Sequence, residues 1–493
     1  MAEQVAKPRK YYEGCNVQLA AAVPSGARDI LDVGCADGKF GAFLKDAAPQ
    51  RRVFGLERNP DAARRAEARL DKDFCIDVEE EDPELEPGSL ECITYGDVLE
   101  HLRDPGKVLE RHRRFLRRDG LIVCSIPNIQ HHSIFKALAR GDFQYTEMGL
   151  LDSTHLRFYT WSTFTKLLLD AGYAPAIEDA NRSRPRPEVL AALAPYLRRV
   201  GVHPNAVRRQ LGVFQYIFSG RPLKDAGTEA TTAGAQEEPA AEPLTFVAAV
   251  NDEDRFAANL LRSPCLAPGS PHEVIPMRGY GNAADALNEG IRRASHGTVV
   301  CVHQDVYLPK GWDVRFTRQL VSVRRSGPVG VVGVWGVVPE GEERVGIGRV
   351  VDRQYLLQGK AELPAPVDTV DELLLAVPRD TPLRFDPRLG FHFYGADLCL
   401  QARKRGLSVH AIDALCFHNS LFHEFPDDFY PSGHAFAVKW ASDLPVVTSC
   451  ARVDADWKAS RPRNWRWLAR VRHAWRHVER QVDKAQARLR QKT

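Results

Sequence analysis

The 493-residue chain lacks an apolar run that would cross a bilayer: its longest, residues 329–338, is about half the required length and is broken by Gly330, Gly333 and Gly336. Residues 1–14 are charged and lack the apolar centre of a secretory signal, so the chain is expected in the cytoplasm. Ten cysteines are present, but no Cys-x-x-Cys pair; they are scattered singly, with Cys92, Cys124 and Cys301 inside apolar runs. That pattern suits reduced core thiols rather than disulfides or a structural zinc site, and the adjacent His131 and His132 add no zinc motif. A strong excess of one charge is also missing. The net charge is +3, yet residues 461–493 hold 11 Lys and Arg against 2 Asp and Glu, which leaves the rest of the chain at −6. No nucleic-acid partner is expected for such a body. Nor do the two halves share a motif at a common period, which excludes a repeat architecture.

What is present is ordinary globular composition, 44% hydrophobic and 27% charged. At roughly 100–200 residues per domain, this length suits two to four domains. Residues 221–243, rich in Ala, Thr, Glu and Pro, read as a flexible linker between two independent cores. Before it, apolar runs at 30–33, 53–56, 74–78, 90–95 and 121–125 alternate with helical segments. A helix near 161–171, a short strand near 174–177, a helical excursion over 187–210 and a last strand at 213–219 follow. After the linker, runs at 246–250, 274–276, 298–302 and 329–338 alternate with helices such as 283–293 and 398–406. The fold class is α/β twice over, with boundaries at 1–220, 221–243, 244–458 and 459–493.

The segment Leu31-Asp32-Val33-Gly34-Cys35-Ala36-Asp37-Gly38 follows a strand and opens a helix, and about twenty residues later Glu57 ends a second strand. Glycines at such a turn allow close approach of a ligand, and a strand-end carboxylate suits ribose hydroxyls. The acid between the glycines would repel a pyrophosphate but welcome a cationic amino-acid moiety. With Cys75-Ile76-Asp77, the run Gly96-Asp97-Val98-Leu99-Glu100-His101-Leu102 and Asp119-Gly120 before the next strand, residues 16–220 resemble class I S-adenosylmethionine-dependent methyltransferases of Rossmann-like fold. The resemblance implies that Asp32 and Gly34 hold the methionine part, Glu57 the ribose, and Ile76 with Asp77 the adenine; Asp37, Gly38 and Asp97 complete the cofactor set. Candidate bases for the acceptor proton are His101 and His155, the latter beside Arg157 in a segment that contacts acceptors in similar proteins. Packing of the following helix is the alternative role for His101.

In the second half, Asn251 and Asp252 end one strand, Asn282 opens a helix, and His303-Gln304-Asp305-Val306 ends another strand. An acid at a buried strand end is costly unless it meets a cation or ligand. With Phe391-His392-Phe393-Tyr394-Gly395-Ala396-Asp397 and Cys416-Phe417-His418-Asn419, residues 244–420 resemble inverting GT-A glycosyltransferases of the family-2 type, most of all the glycosyltransferase-like proteins named after a streptomycin-biosynthesis gene product. The resemblance implies Mg²⁺ or Mn²⁺ at Asp305 and His418, a nucleotide sugar near Asn251, Asp252 and Asn282, and Asp397 as the base. Two departures stand out: His303 occupies the place of the first metal acid, and Ala396 replaces the acid next to Asp397.

Residues 459–493 read as a basic amphipathic helix, with Leu468, Val471, Trp475, Val478, Val482 and Leu489 on one stripe. It would dock on its own domain, on a partner helix or on an anionic membrane surface, which makes the chain cytoplasmic or peripheral to the membrane's inner face. The expected function is S-adenosylmethionine-dependent O-methylation of a sugar or glycosylated product, joined to sugar transfer with inversion from a nucleotide-sugar donor to a carbohydrate or glycosylated acceptor. The alternatives are a methyltransferase with an inactive, glycan-binding second domain, and an RNA methyltransferase.

Overall fold

In the computed structural model, residues 15–183, 187–199, 202, 204–223, 241–420 and 425–458 are described. The tail expected at 459–493 and residues 224–240 of the expected linker lie outside them. The first part contains α1 (Val17–Ala22), β1 (Asp29–Val33), α2 (Lys39–Ala47), β2 (Arg52–Leu56), α3 (Pro60–Ala66), β3 (Lys72–Phe74), β4 (Leu90–Gly96), α4 (Pro105–His112), β5 (Leu116–Pro127), α5 (His132–Leu138), α6 (Trp161–Asp170), β6 (Tyr173–Arg182), α7 (Pro187–Arg199), α8 (Pro204–Leu211) and β7 (Val213–Pro222). Its strands form one sheet in the order β3-β2-β1-β4-β5-β7-β6. β1 pairs in parallel with both β2 and β4, whereas β7 runs antiparallel between β5 and β6. The strand order reverses at β1, which opens a crevice at the carboxyl ends of β1 and β4.

Local chemistry starts and stops these elements. Asn59 caps α3 and Asp104 caps α4, each followed by proline, while Thr160 and Thr163 form a reciprocal cap at α6. Gly38 opens α2 at φ +78°, and a Cβ there would lie 3.1 Å from the Ala66 Cα, so the turn and the approach of α3 both require glycine. The strand expected at 74–78 ends at Phe74, the one expected at 174–177 extends over Tyr173–Arg182, and the helical excursion is two helices.

The second part contains β8 (Leu244–Val250), α9 (Glu253–Ala258), β9 (Glu273–Arg278), α10 (Ala283–Arg293), β10 (Thr298–Val302), β11 (Val306–Tyr307), α11 (Trp312–Arg325), β12 (Val329–Gly333), β13 (Trp335–Glu340), β14 (Glu343–Asp352), β15 (Tyr355–Gln358), β16 (Ala365–Pro366), β17 (Thr369–Val370), β18 (Leu374–Pro378), α12 (Tyr394–Lys404), β19 (Ser408–Ala411), β20 (Phe417–His418) and α13 (Phe429–Lys439). One mixed sheet runs β16-β19-β12-β18-β10-β8-β9; a second runs β11-β20-β14-β13-β17, with β15 on β14. The apolar run at 329–338 therefore divides between two sheets. Gly333 and Gly336 fit where a Cβ would come within 3.0 Å of the Leu374 carbonyl and 2.8 Å of the Thr369 carbonyl. Cys92, Cys124 and Cys301 are buried free thiols. Among the described residues no helix is long and apolar enough to cross a membrane.

The two parts do not have independent cores. Tyr307, Val351, Leu415 and Phe417 belong to the same buried cluster as Leu31, Tyr95 and Trp161. Polar contacts frame this contact: Tyr307 donates to Asp170 at 2.5 Å, Lys166 donates to the Ala258 carbonyl at 2.5 Å, and Asn419 donates to Ser162 Oγ at 3.1 Å. The linker composition led to the expectation of separation; the apolar faces of α6 and β20 override it, because each covers the other.

Candidate functional site

A cavity of about 270 Å³ opens at the carboxyl ends of β1 and β4. Its wall includes Asp32, Gly34, Asp37, Asp97 and His155 of the expected set, and it is closed by Asn16, Phe214 and Gln215. Burial pushes the Asp32 carboxyl up to about 7, against a 2.8 Å hydrogen bond from Thr94 Oγ1. Burial likewise raises Asp97 to about 6, although Gln215 Nε2 donates to its carboxylate. Among the described residues neither carboxylate is in an ion pair, and Lys39, which also lines the cavity, lies 3.3 Å from Asp37. The cavity thus presents two enclosed acids whose charge is incompletely balanced by protein.

Other expected cofactor residues stand beyond this wall. Glu57 turns back to the glycine loop, accepting from the Ala36 N–H at 3.1 Å and the Asn59 N–H at 2.8 Å. Ile76 packs on the core, and Asp77 accepts from the Glu79 N–H at 2.9 Å. Gly34 is required for a protein-internal reason as well: at φ +71°, its Cβ would lie 2.5 Å from Val98 Cγ2. Asp37 pairs with Lys39 at 3.3 Å and Arg69 at 3.9 Å.

At the other end of the cavity stand Glu100, Asp152 and His155. Glu100 is 1% exposed, and neither carboxylate oxygen has a hydrogen-bond partner. His155 Nε2 is 3.9 Å from Glu100 Oε1, and its ring meets that of His101 edge to face with centroids 4.8 Å apart. His101 lies behind the wall, its Nδ1 3.1 Å from the Thr154 carbonyl. Asn16, Glu100, Asp152 and Gln215 had no role in the sequence reading. Glu100 carried a usable signal, an acid directly after the apolar Val98-Leu99 pair. Gln215 carried none, since antiparallel pairing of β7 with β5 brings it in.

The second part builds its own cluster. β20 lies between β11 and β14, with His418 opposite both Val306 and Asp352. His418 Nε2 is 3.4 Å from Asp305 Oδ1 and Nδ1 is 2.9 Å from Asp352 Oδ1. Burial opposes a charged His418 ring, but Asp305 and Asp352 outweigh it and raise the group to about 10. Burial also opposes the Asp305 charge, yet His418, His303 and Arg255 hold its carboxyl well below the usual range. One ligand atom each from His303, Asp305 and His418 lies within 4.8 Å of the others. His303 is therefore a member of the cluster rather than a loss from it, while Nε2 also meets the Tyr394 hydroxyl at 3.0 Å. Gln304 ties this cluster to Asn251 and Asp252, accepting from their N–H groups at 3.0 and 3.1 Å. Arg255, whose N–H is capped by Asp252, reaches Asp305 at 3.7 Å.

Two expected residues are not brought to this site. Asn282 caps α10, bonding the Asp285 N–H and carboxylate at 2.8 and 2.7 Å. The expectation that Asp397 is a base is corrected. Its side chain is fully buried, with Trp440 Nε1 at 2.8 Å, Lys439 Nζ at 2.6 Å and Gln401 Nε2 at 2.7 Å. A carboxylate so enclosed pins α12 to α13 and has no path to an acceptor.

Residues 8–176 match the methyltransferase domain family, and residues 245–435 match a glycosyltransferase-like family. A probable S-adenosylmethionine-dependent methyltransferase of Mycobacterium tuberculosis is 27% identical over 147 residues, 30% of this chain and 49% of the relative. The ubiquinone biosynthesis O-methyltransferase of Bradyrhizobium diazoefficiens is 31% identical over 153 residues, 29% of this chain and 58% of the relative. The chain spans about half the length of the curated relatives it matches. The crystal structure of a SAM-dependent methyltransferase from Archaeoglobus fulgidus aligns with 40% of this chain and 86% of that one, at 17% identity and a TM-score of 0.29. The N-terminal part is a Rossmann-like methyltransferase domain and the C-terminal part a glycosyltransferase-like domain.

Proposed function

We propose that this chain transfers a methyl group from S-adenosylmethionine to a hydroxyl of a sugar or glycosylated product, and transfers a sugar with inversion from a nucleotide-sugar donor. The observation that carries the first half is the pair of buried acids, Asp32 and Asp97, in one cavity and neither of them in an ion pair among the described residues, the cavity's Lys39 lying 3.3 Å from Asp37 instead. A ligand bearing both a sulfonium and an ammonium group answers that charge. When bound, it supplies a methyl group already activated for displacement. In this reading Asp32, Gly34, Asp37, Gly38 and Asp97 surround the methionine part, Glu57 meets the ribose after releasing a loop amide, and Ile76 and Asp77 border the adenine. His155, with His101 behind it, receives the acceptor proton. Calorimetric titration of the full chain with S-adenosylmethionine tests this half; absence of binding overturns it.

The second half rests on the His303, Asp305 and His418 cluster. Its imidazole and carboxylate donors, with Asp352 orienting His418, suit Mn²⁺ better than Mg²⁺, and either ion would balance the charge of a donor diphosphate. Asn251 and Asp252 would border the nucleotide. The domain division is read as 1–220, 221–243 and 244–458, and the tail at 459–493 as a contact with an anionic membrane surface or a partner helix. The burial of Asp397 favours a second reading, in which this domain binds glycans without turnover. Sugar nucleotides screened with and without Mn²⁺ separate the two: binding with slow hydrolysis supports transfer, and binding without turnover supports a module that presents acceptors.

A further inference from the structure

We propose that Glu100, His101 and His155 form a divalent transition-metal site inside the methyltransferase domain, and that the acceptor oxygen binds there. One ligand atom from each residue lies within 4.8 Å of the other two. Glu100 supplies the independent observation: it is 1% exposed, both its oxygens lack a hydrogen-bond partner, and it faces an imidazole rather than Lys or Arg. A buried carboxylate in that condition is costly unless it takes up a proton or a cation. Asp97 and Asp152 line the same cavity as Glu100, so further acids surround it.

The His101 imidazole is pre-set for the task. The Thr154 hydroxyl, whose one proton goes to Asp152 Oδ1, and the Thr154 carbonyl lie 3.0 and 3.1 Å from His101 Nδ1 as acceptors, which places the proton on Nδ1 and makes Nε2 the ligand nitrogen. Thr154 is itself held by Asp152 Oδ1, to which both its N–H and its hydroxyl donate at 2.8 Å. This is the outer support that metal-binding histidines generally have. The loop carrying His155 is fastened to the same turn, because the Leu156 and Arg157 N–H groups donate to the Glu100 carbonyl at 2.9 and 3.0 Å.

Two nitrogens and one carboxylate oxygen suit Zn²⁺, Co²⁺ or Fe²⁺ better than Mg²⁺ or Ca²⁺. Glu100 and His155 both line the cavity, so an ion held by them would be reachable from the space shared with Asp32 and Asp97. An acceptor hydroxyl bound there would lose its proton to solvent more readily, and His155, with its lone pair given to the metal, would orient the ion in place of receiving that proton. The acceptor oxygen then attacks the methyl carbon, the carbon–sulfur bond breaks, and the electron pair remains on sulfur as a neutral thioether. This catalytic part rests on the methyltransferase reading above; the metal site does not.

The test is titration of the full metal-free chain with Co²⁺, following visible absorption and calorimetric stoichiometry, in the parent, Glu100→Gln and His155→Gln. Each variant is also made in an Asp305→Asn background, so that the second domain's cluster is counted separately. The expected result is loss of one equivalent, or at least tenfold weaker binding of it, in both variants and in both backgrounds. Unchanged stoichiometry and affinity in either folded variant overturns the proposal. Thermal melts with and without Co²⁺ give a second readout: the metal should raise the melting temperature of Asp305→Asn but not of Asp305→Asn with Glu100→Gln. S-adenosylmethionine titrated into the same parent sample keeps the two readings apart. Cobalt bound without cofactor leaves the metal site and removes the methyltransferase reading; cofactor bound with no cobalt equivalent lost does the reverse.

Discussion

The ring of Trp161, which begins α6, meets the ring of Phe417 in β20 edge to face, with centroids 5.6 Å apart and planes at 82°. Both side chains are buried, so the methyltransferase core extends into the second domain instead of ending at its own surface. Truncating Phe417 to alanine should destabilise the full chain by about 3–5 kcal/mol, the usual cost of emptying a large buried aromatic site. Residues 15–223 alone should unfold at lower urea concentration than the same domain in the intact chain. Equal midpoints would show that the shared contact contributes nothing.

Cofactor affinity should depend on pH in a direction set by Asp32 and Asp97. Their carboxyls, raised from 3.8 to about 7 and about 6, hold protons that free carboxylates would have released. The empty protein therefore binds more protons folded than unfolded across that window and loses stability as pH rises through it. A cationic ligand needs the ionised acids, so S-adenosylmethionine affinity should rise by at least tenfold, about 1.4 kcal/mol, between pH 5 and 8. Asp97→Asn should flatten the profile, and calorimetry at four pH values checks it.

Glu57 now holds the Ala36 N–H of the glycine loop. Glu57→Ala should weaken S-adenosylmethionine binding at least tenfold, about 1.4 kcal/mol, by removing a charge-assisted partner for the ribose and loosening the loop that faces the ligand. Calorimetry finding unchanged affinity in the folded variant would remove Glu57 from the site.

In the second domain, two aspartates should behave oppositely. Asp305→Asn should abolish Mn²⁺-dependent sugar-nucleotide binding, since an amide is a poorer ligand for a hard cation. Asp397→Asn should leave donor affinity intact while lowering stability by about 1–3 kcal/mol, because Trp440 and Gln401 lose a buried charged acceptor while Lys439 keeps Asp386 at 2.9 Å. Denaturation and donor titration of both variants decide this. Unaltered stability of Asp397→Asn would contradict the structural role assigned to it.

Much of the first site was legible in local sequence. Asp32, the Gly34 to Gly38 turn and the Asp97 to His101 run follow directly from strands β1 and β4, and α10 spans Ala283–Arg293 as its apolar spacing predicts. Strand ends, caps and helical periodicity depend on neighbours within a few residues, so the order of residue types determines them. The partners of the charged groups were decided by tertiary structure alone. Gln215 reaches Asp97 because β7 enters the sheet antiparallel, and His418 falls between Asp305 and Asp352 because β20 lies between β11 and β14. Asp397 is buried because α13 lays Lys439 and Trp440 across it, and α6 meets β20 because each carries apolar surface that nothing nearer in the chain covers. Whether an acid becomes a ligand, a base or a strut depends on burial and on the charge beside it, and both come from segments far apart in sequence whose approach is governed by packing rather than by local propensity.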